Sequence, residues 1–327
     1  MKKLLVIIPA VALLVALGIG CEKTSTEVND ITSTDQPVTQ RTCASNDVLN
    51  QQLQEDPSLS QRMNQIEQFT AEYEKNPSAY RLVNGVIEIP VVVNVLYRTT
   101  AQNISLTQIQ SQITVLNNDF QALNADYNNT PTVFQSLRAG NMNIRFVLDT
   151  VIRKSTTKTS WSTNDAMKKS SQGGINPTLP TTKLNMWCCN LSGGILGYAQ
   201  FPGGSSTTDG VVIDDNAFGS TGTVTAPYNK GRTATHEVGH WMNLRHIWGD
   251  ATCGSDLVND TPIHTGANYG CPSYPANSTC GGVSHPMMTM NYMDYTDDAC
   301  MYMFTTGQKT RIQAIFAVGG SRNSFAQ

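Results

Sequence analysis

The sequence is short of charge. Only 14% of its 327 residues are Asp, Glu, Lys or Arg, the formal net charge is -3, and no basic block stands out. The electrostatic footprint of a nucleic-acid binder is therefore missing, which argues against nucleic acid as a partner. Beyond the first twenty residues no apolar run is long enough to span a bilayer. There is no internal repeat, and there is no glutamate after Glu237. With 39% hydrophobic residues the chain is too apolar for disorder, and its length allows one large domain or two smaller ones with a real core.

What is present begins with "MKKLLVIIPAVALLVALGIGC". Two lysines, an apolar run from Leu4 to Leu17 and small residues before Cys21 have the layout of a secretory signal over residues 1–20. Export is the expectation. Cys21 fits either acylation as a lipoprotein, which would anchor the protein in a membrane, or plain cleavage after Gly20 to leave a secreted protein. The polar, Ser/Thr-rich stretch that follows reads as a tether, and the pattern turns helical from Asn46 to Lys75. Residues 21–81 are read as tether plus pro-segment.

The folded domain is expected over residues 82–327. Its first strand is "VIEIPVVVNVLY", β-branched and apolar enough to be buried. Ser105 and Gln108 read as a capping box for a helix whose Ile109, Ile113, Leu116 and Phe120 share one face. Further strands are expected at "MNIRFVLDT", "TKLNMWCCNL", "ILGYAQF" and "DGVVIDD". The adjacent Cys188 and Cys189 should then face opposite sides as buried free thiols.

"GRTATHEVGHWMNL" has no proline and reads as a helix that places His236 and His240 on one face. Two imidazoles four residues apart can reach one zinc ion, while Glu237 turns its carboxylate toward the metal's water. A third ligand cannot be a later glutamate, because none exists. His246 stands six residues past His240, as in the extended metzincin pattern His-Glu-x-x-His-x-x-Gly-x-x-His. Asn243 occupies the glycine position, and asparagine tolerates the left-handed conformation that such a turn needs.

Together "GRTATHEVGHWMNLRHIWGD", "ILGYAQFP" and "NYMDYTDDACMYMF" resemble the pappalysin/cytophagalysin family of metzincin proteases, over residues from about Val86 onward. The resemblance implies a mixed α/β domain: a twisted mixed sheet and two long helices in an upper part to residue 243, above a disulfide-tied lower part, 244–327, with a C-terminal helix. It implies that Met293 is the methionine turn under the metal and Tyr295 a tyrosine beside it. "GILGYAQFP" would be the edge strand to which an extended polypeptide substrate adds. Of the three pairings open to Cys253, Cys271, Cys280 and Cys300, it implies Cys253–Cys280 with Cys271–Cys300. Cys43 in "RTCAS" would be a fourth zinc ligand that displaces the catalytic water, so that the chain's own pro-segment is its inhibitor. Calcium is implied at the Asp256 carboxylate, the Val258 carbonyl and Thr261. A preference for Arg or Lys just after the scissile bond is implied too, with Asp297 or Asp298 as the acid of the pocket and Tyr80–Arg81 as the activation cut. His264 and His285 have no partners at ligand spacing and are expected at the surface. The alternative is a non-catalytic surface lipoprotein that keeps the fold; intact Glu237 and Tyr295 favour the enzyme.

Overall fold

The computed structural model describes residues 38, 40–77 and 85–326. The signal, Cys21, most of the tether and the Tyr80–Arg81 bond lie outside the described residues.

Two helices come first, α1 (Ser45–Glu55) and α2 (Ser58–Lys75), separated at Asp56 and Pro57. Then follow β1 (Ile87–Tyr97), α3 (Leu106–Phe120), a short α4 (Thr132–Gln135), β2 (Ile144–Ser155), β3 (Leu184–Cys189), β4 (Gly197–Ala199) and β5 (Val211–Asp214). The chain continues through α5 (Arg232–Trp241), the hairpin β6 (Asn277–Cys280) and β7 (Val283–Pro286), and α6 (Thr306–Phe316). The sheet order is β2-β1-β3-β5-β4, with the first four strands parallel and β4 antiparallel at the edge. All five strands read from the sequence are present, and the mixed α/β architecture is as expected.

Strand alternation builds two cores. Val91, Val93, Met186, Cys188 and Ile213 face α3 and α5, together with Ile109, Leu116 and Phe120 of α3. Trp187, Cys189, Tyr198 and Val212 point to the opposite side, where Ala44, just before α1, and Val48 within it cover them. The two cysteines are thus buried on opposite faces and both are free thiols. Ile and Val fill a strand buried on both sides because branched side chains suit the pleat and every face needs cover.

The capping box at α3 is only half formed. Ser105 accepts from the Gln108 amide, but the Gln108 side chain donates to Phe218 O and takes the Thr223 amide instead. A long-range loop contact has won over the local one. α6 carries the complete box, between Thr305 and Gln308.

In the lower part both disulfides have the interleaved pairing, Cys253–Cys280 and Cys271–Cys300. His264 departs from expectation: it is fully buried, its Nε2 accepting the Met288 amide at 3.0 Å and its Nδ1 3.8 Å from Asp294 Oδ2. It serves as a neutral core residue beneath the loop. His285, on β7, is half-buried.

Candidate metal centre and cleft

α5 is buried along its whole length. Its first turn is fixed by Arg232, which is bidentate to Asp126, and by the Thr235 hydroxyl, which donates to Asp119 at 2.7 Å. Its end is fixed by Asn243, whose φ of +72° supplies the left-handed turn that releases the chain from the helix. The asparagine therefore does the work expected of it, and His246 returns to face His236 and His240.

The three imidazoles fit a cation. The Nδ1 atoms of His236 and His240 meet the carbonyls of Tyr292 and Leu244 at 2.7 and 2.8 Å, and Nδ1 of His246 meets the Asp250 carboxylate at 2.5 Å. Oxygens of those kinds only accept, so each Nδ1 carries the proton and each Nε2 presents a lone pair. His240 Nε2 lies 3.1 Å from that of His236 and 3.0 Å from that of His246. Three lone pairs aimed at one another repel unless a positive ion lies among them, and tetrahedral zinc would set them about 3.3 Å apart. Burial first, and then the neighbouring cationic forms, hold the His236 and His240 pKa values well below the usual range, so the rings stay neutral and able to ligate.

Beneath the site Met293 is fully buried against Gly239, where a Cβ would come within 2.5 Å of its sulfur. Only glycine admits this close approach of helix and methionine turn. Met293 O also accepts the Ile247 amide, tying the turn to the segment just after His246.

Cys43 completes the cluster: ligand atoms of Cys43, His236, His240 and His246 all lie within 4.8 Å of one another. The cysteine is buried. Its segment runs parallel to the free edge of β4, with Leu196 N donating to Thr42 O and Ala44 N donating to Gly197 O. The thiol donates to Glu237 Oε2 at 3.3 Å, and Ser45 Oγ donates to the same oxygen at 2.8 Å while accepting from the Ala199 amide. Tyr295 Oη donates to the Cys43 carbonyl at 3.1 Å. Burial raises the Glu237 carboxyl to about 7 against the lowering effect of those two donors, and it raises the Cys43 thiol further above its ordinary range.

Two residues before Cys43, Arg41 enters a closed pocket. Its Nη2 donates to Asp298 Oδ1 at 2.6 Å, Nη1 to Thr233 Oγ1 at 3.1 Å and Nε to Thr296 O at 3.3 Å, and the guanidinium lies 5.0 Å over the Tyr228 ring. The other Asp298 oxygen takes the amides of Lys230 and Arg232 at the start of α5. Of the two candidate acids, Asp298 is the one in the pocket. Asp297 sits beside it, partly exposed and not among the hydrogen-bond partners of Arg41, whose charge it feels from nearby.

Asp256, Val258 and Thr261 also come together, the Thr261 hydroxyl lying 2.8–2.9 Å from both Asp256 oxygens and from Val258 O. Arg41, Ser45, Thr233 and Tyr228 were not singled out by sequence reasoning. One available signal was the spacing in "RTC": residues two apart in an extended segment share a face.

The peptidase M43 family model, described as pregnancy-associated plasma protein-A, matches residues 185–317. An extracellular metalloprotease of Pyricularia oryzae is 34% identical over 250 residues, 71% of this chain and 85% of the relative. One from Verticillium alfalfae is 33% identical over 239 residues, 69% and 78% of the two chains. Among solved structures, mature mirolysin of Tannerella forsythia in complex with a cleaved peptide superposes with a TM-score of 0.71 at 48% identity, covering 74% of this chain and 96% of the other. A mutant promirolysin from the same organism reaches a TM-score of 0.79 at 44% identity, over 88% and 97% of the chains.

Proposed function

From the fact that this chain belongs to the pappalysin family of metalloproteases, we propose that it is an exported zinc endopeptidase held latent by its own pro-segment and selective for a basic residue just after the scissile bond. The observation that carries the reading is a single stretch of chain: Arg41, Cys43 and Ser45 occupy the pocket, the metal ligands and the Glu237 carboxylate in turn.

His236, His240 and His246 would hold the ion, with Cys43 as fourth ligand in the latent form. Bound zinc supplies a Lewis acid for the scissile carbonyl and a water whose pKa lies near neutrality. Glu237, buried and close to neutrality in its own pKa, accepts the proton of the attacking water and returns it to the departing amine. The Tyr295 hydroxyl now held by the Cys43 carbonyl is placed to donate to the oxyanion that forms from a substrate carbonyl. The β4 edge offers backbone partners to an extended polypeptide.

Latency follows from direction as well as ligation. The pro-segment runs parallel to β4, whereas its neighbour β5 runs antiparallel to it. A substrate that adds to β4 antiparallel would place its peptide bond the other way round at Glu237. In the pocket, Arg41 makes the contacts of a basic side chain following the scissile bond. Three acceptors spread around its guanidinium read the fork of arginine, and lysine, with one nitrogen, meets fewer of them.

The same reading gives the domain division: signal over 1–20, tether and pro-segment over 21–81, catalytic domain over 82–327 with its two parts meeting at Asn243. The relatives' description as extracellular supports export, and acylation at Cys21 is the form an anchor would take. Calcium at Asp256, Val258 and Thr261 rests on the convergence of their oxygens.

The test is cleavage of a denatured protein by the processed enzyme, with and without a zinc chelator, and by the Glu237→Ala variant. Hydrolysis should vanish in both. Activity that survives both would point instead to the non-catalytic surface lipoprotein with a contaminating protease.

A further inference from the structure

At the opposite end of α5 from Arg41, a second charged side chain of the pro-segment is received by the catalytic domain. Arg41 meets Thr233 in the first turn, Cys43 meets the metal ligands in the middle, and Glu67 meets the residues just past the C-terminal end. Glu67 Oε1 accepts Arg311 Nη2 at 2.5 Å and lies 3.5 Å from Asn243 Nδ2. Arg311, on α6, is held ready by its Nε, which donates to the Asn243 carbonyl at 2.8 Å, and it is almost wholly buried.

Arg245 stands close by, just before the third histidine. Its Nε is buried with no hydrogen-bond partner, and its guanidinium lies 6.0 Å from the Phe201 ring. Burial is what most opposes its charge; the Glu67 carboxylate favours it, Arg311 opposes it and Asp250 favours it. Asp250 is already engaged with His246 Nδ1. Asp256 and Glu74 also feel the charge of Arg311 without bonding to it. Glu67 is therefore the one hydrogen-bonded carboxylate at this pair of cations among the described residues.

The stripe of α2 that enters here repeats every four residues. Leu59 and Met63 pack on Phe201, whose ring is 5.3 Å from His240, and Glu67 follows one turn later. Losing the pro-segment would uncover an apolar floor and leave the Arg311 guanidinium without its bonded anion, next to that of Arg245. Buried or half-buried cations in that state favour any carboxylate that can reach them.

We propose that Arg245 and Arg311, steadied by Asn243, form a carboxylate-binding subsite on the upstream side of the cleft. Glu67 fills it in the latent form, and after activation an acidic side chain of the substrate, N-terminal to the scissile bond, takes its place. This rests on the protease reading above, in which the Arg41 pocket receives the residue after the bond and so fixes which side is upstream.

Two experiments decide it. In the full chain carrying Glu237→Ala, which stays unprocessed, Glu67→Gln should raise the hydrogen-exchange rates of the α2 amides by about fivefold or more; unchanged rates would overturn the proposal whether or not the protein is a protease. In the processed enzyme, peptides with arginine after the scissile bond and Glu or Gln scanned through the upstream positions should show one position where Glu raises kcat/KM by about five- to tenfold, an advantage that shrinks with added salt. The Glu/Gln ratio should fall to about one in Arg311→Gln and in Arg245→Gln, the second of which breaks no hydrogen bond made by its Nε. Cleavage with no upstream acidic preference, or a preference that survives both variants, would refute the subsite while leaving the protease reading intact.

Discussion

Arg41 and Asp298 form an ion pair at 2.6 Å in which both side chains are almost fully buried, although 257 residues separate them in sequence. Removing one partner of such a pair leaves the other charge uncompensated, which costs about 3–5 kcal/mol. Asp298→Asn should therefore lower the melting temperature of the full chain and reduce kcat/KM for substrates with arginine after the bond by about a hundredfold or more. Substrates with an apolar residue there should lose much less. Equal losses for both would mean that Asp298 supports the start of α5 and not the pocket.

The thiol and the hydroxyl beside it should contribute separately to latency. Cys43→Ala would remove the proposed fourth ligand yet keep Arg41 and Ser45 in place, so the variant should process itself faster while still showing a lag. Cys43→Ala with Ser45→Ala, which also frees Glu237, should shorten that lag further. Activity followed against time for the three chains, with mass spectrometry of the new N-terminus expected at Arg81, checks both points. Identical lags would leave Cys43 as a bystander.

Tyr295→Phe deletes a donor and little else, since the ring packs against His246 and Trp248. Loss of one oxyanion donor typically costs about 10²-fold in kcat. The expected result is that drop with KM nearly constant; a rise in KM alone would make Tyr295 a binding contact.

His264 gives the lower part a pH dependence of defined sign. Burial lowers its pKa to about 4 from an ordinary value of about 6.5. Between those values the unfolded chain takes up a proton that the folded chain refuses, so stability from this residue is complete above pH 6.5 and falls as pH drops toward 4. Asp294 works the other way: burial raises it to about 7, and its contribution is lost as pH rises from about 4 to 7. Compared with wild type, His264→Gln should be relatively more stable at pH 4.5 than at pH 7, by up to about 3 kcal/mol, in urea titrations at the two pH values. A difference independent of pH would show that the ring's titration plays no part.

The metal helix, the edge strand and the sheet were legible because each is written locally, in a four-residue spacing of histidines, in β-branched runs and in the turn residue Asn243. The disulfide pairing and Met293 came from resemblance and could not have been reached by spacing, since four cysteines leave three choices. What stayed hidden depends on contacts across long separations. The Gln108 side chain leaves its own helix for Phe218 and Thr223, more than a hundred residues away. His264 is buried because loops from several places close over it, and a histidine in a polar loop carries no sign of that. Arg41 sits in a Thr-rich stretch that resembles any tether until Asp298 is seen on its other side.

The anchoring contacts of the pro-segment, at Arg41, Cys43, Ser45 and Glu67, all precede the end of α2, and the catalytic sheet begins at Ile87. A cut between the two severs none of those contacts. It turns an intramolecular clasp, whose effective concentration is fixed by the chain, into a two-body equilibrium between enzyme and freed peptide. Activity after the cut then depends on dilution: a crowded preparation would remain silent, and the same molecules spread through a larger volume would wake without any further bond being broken.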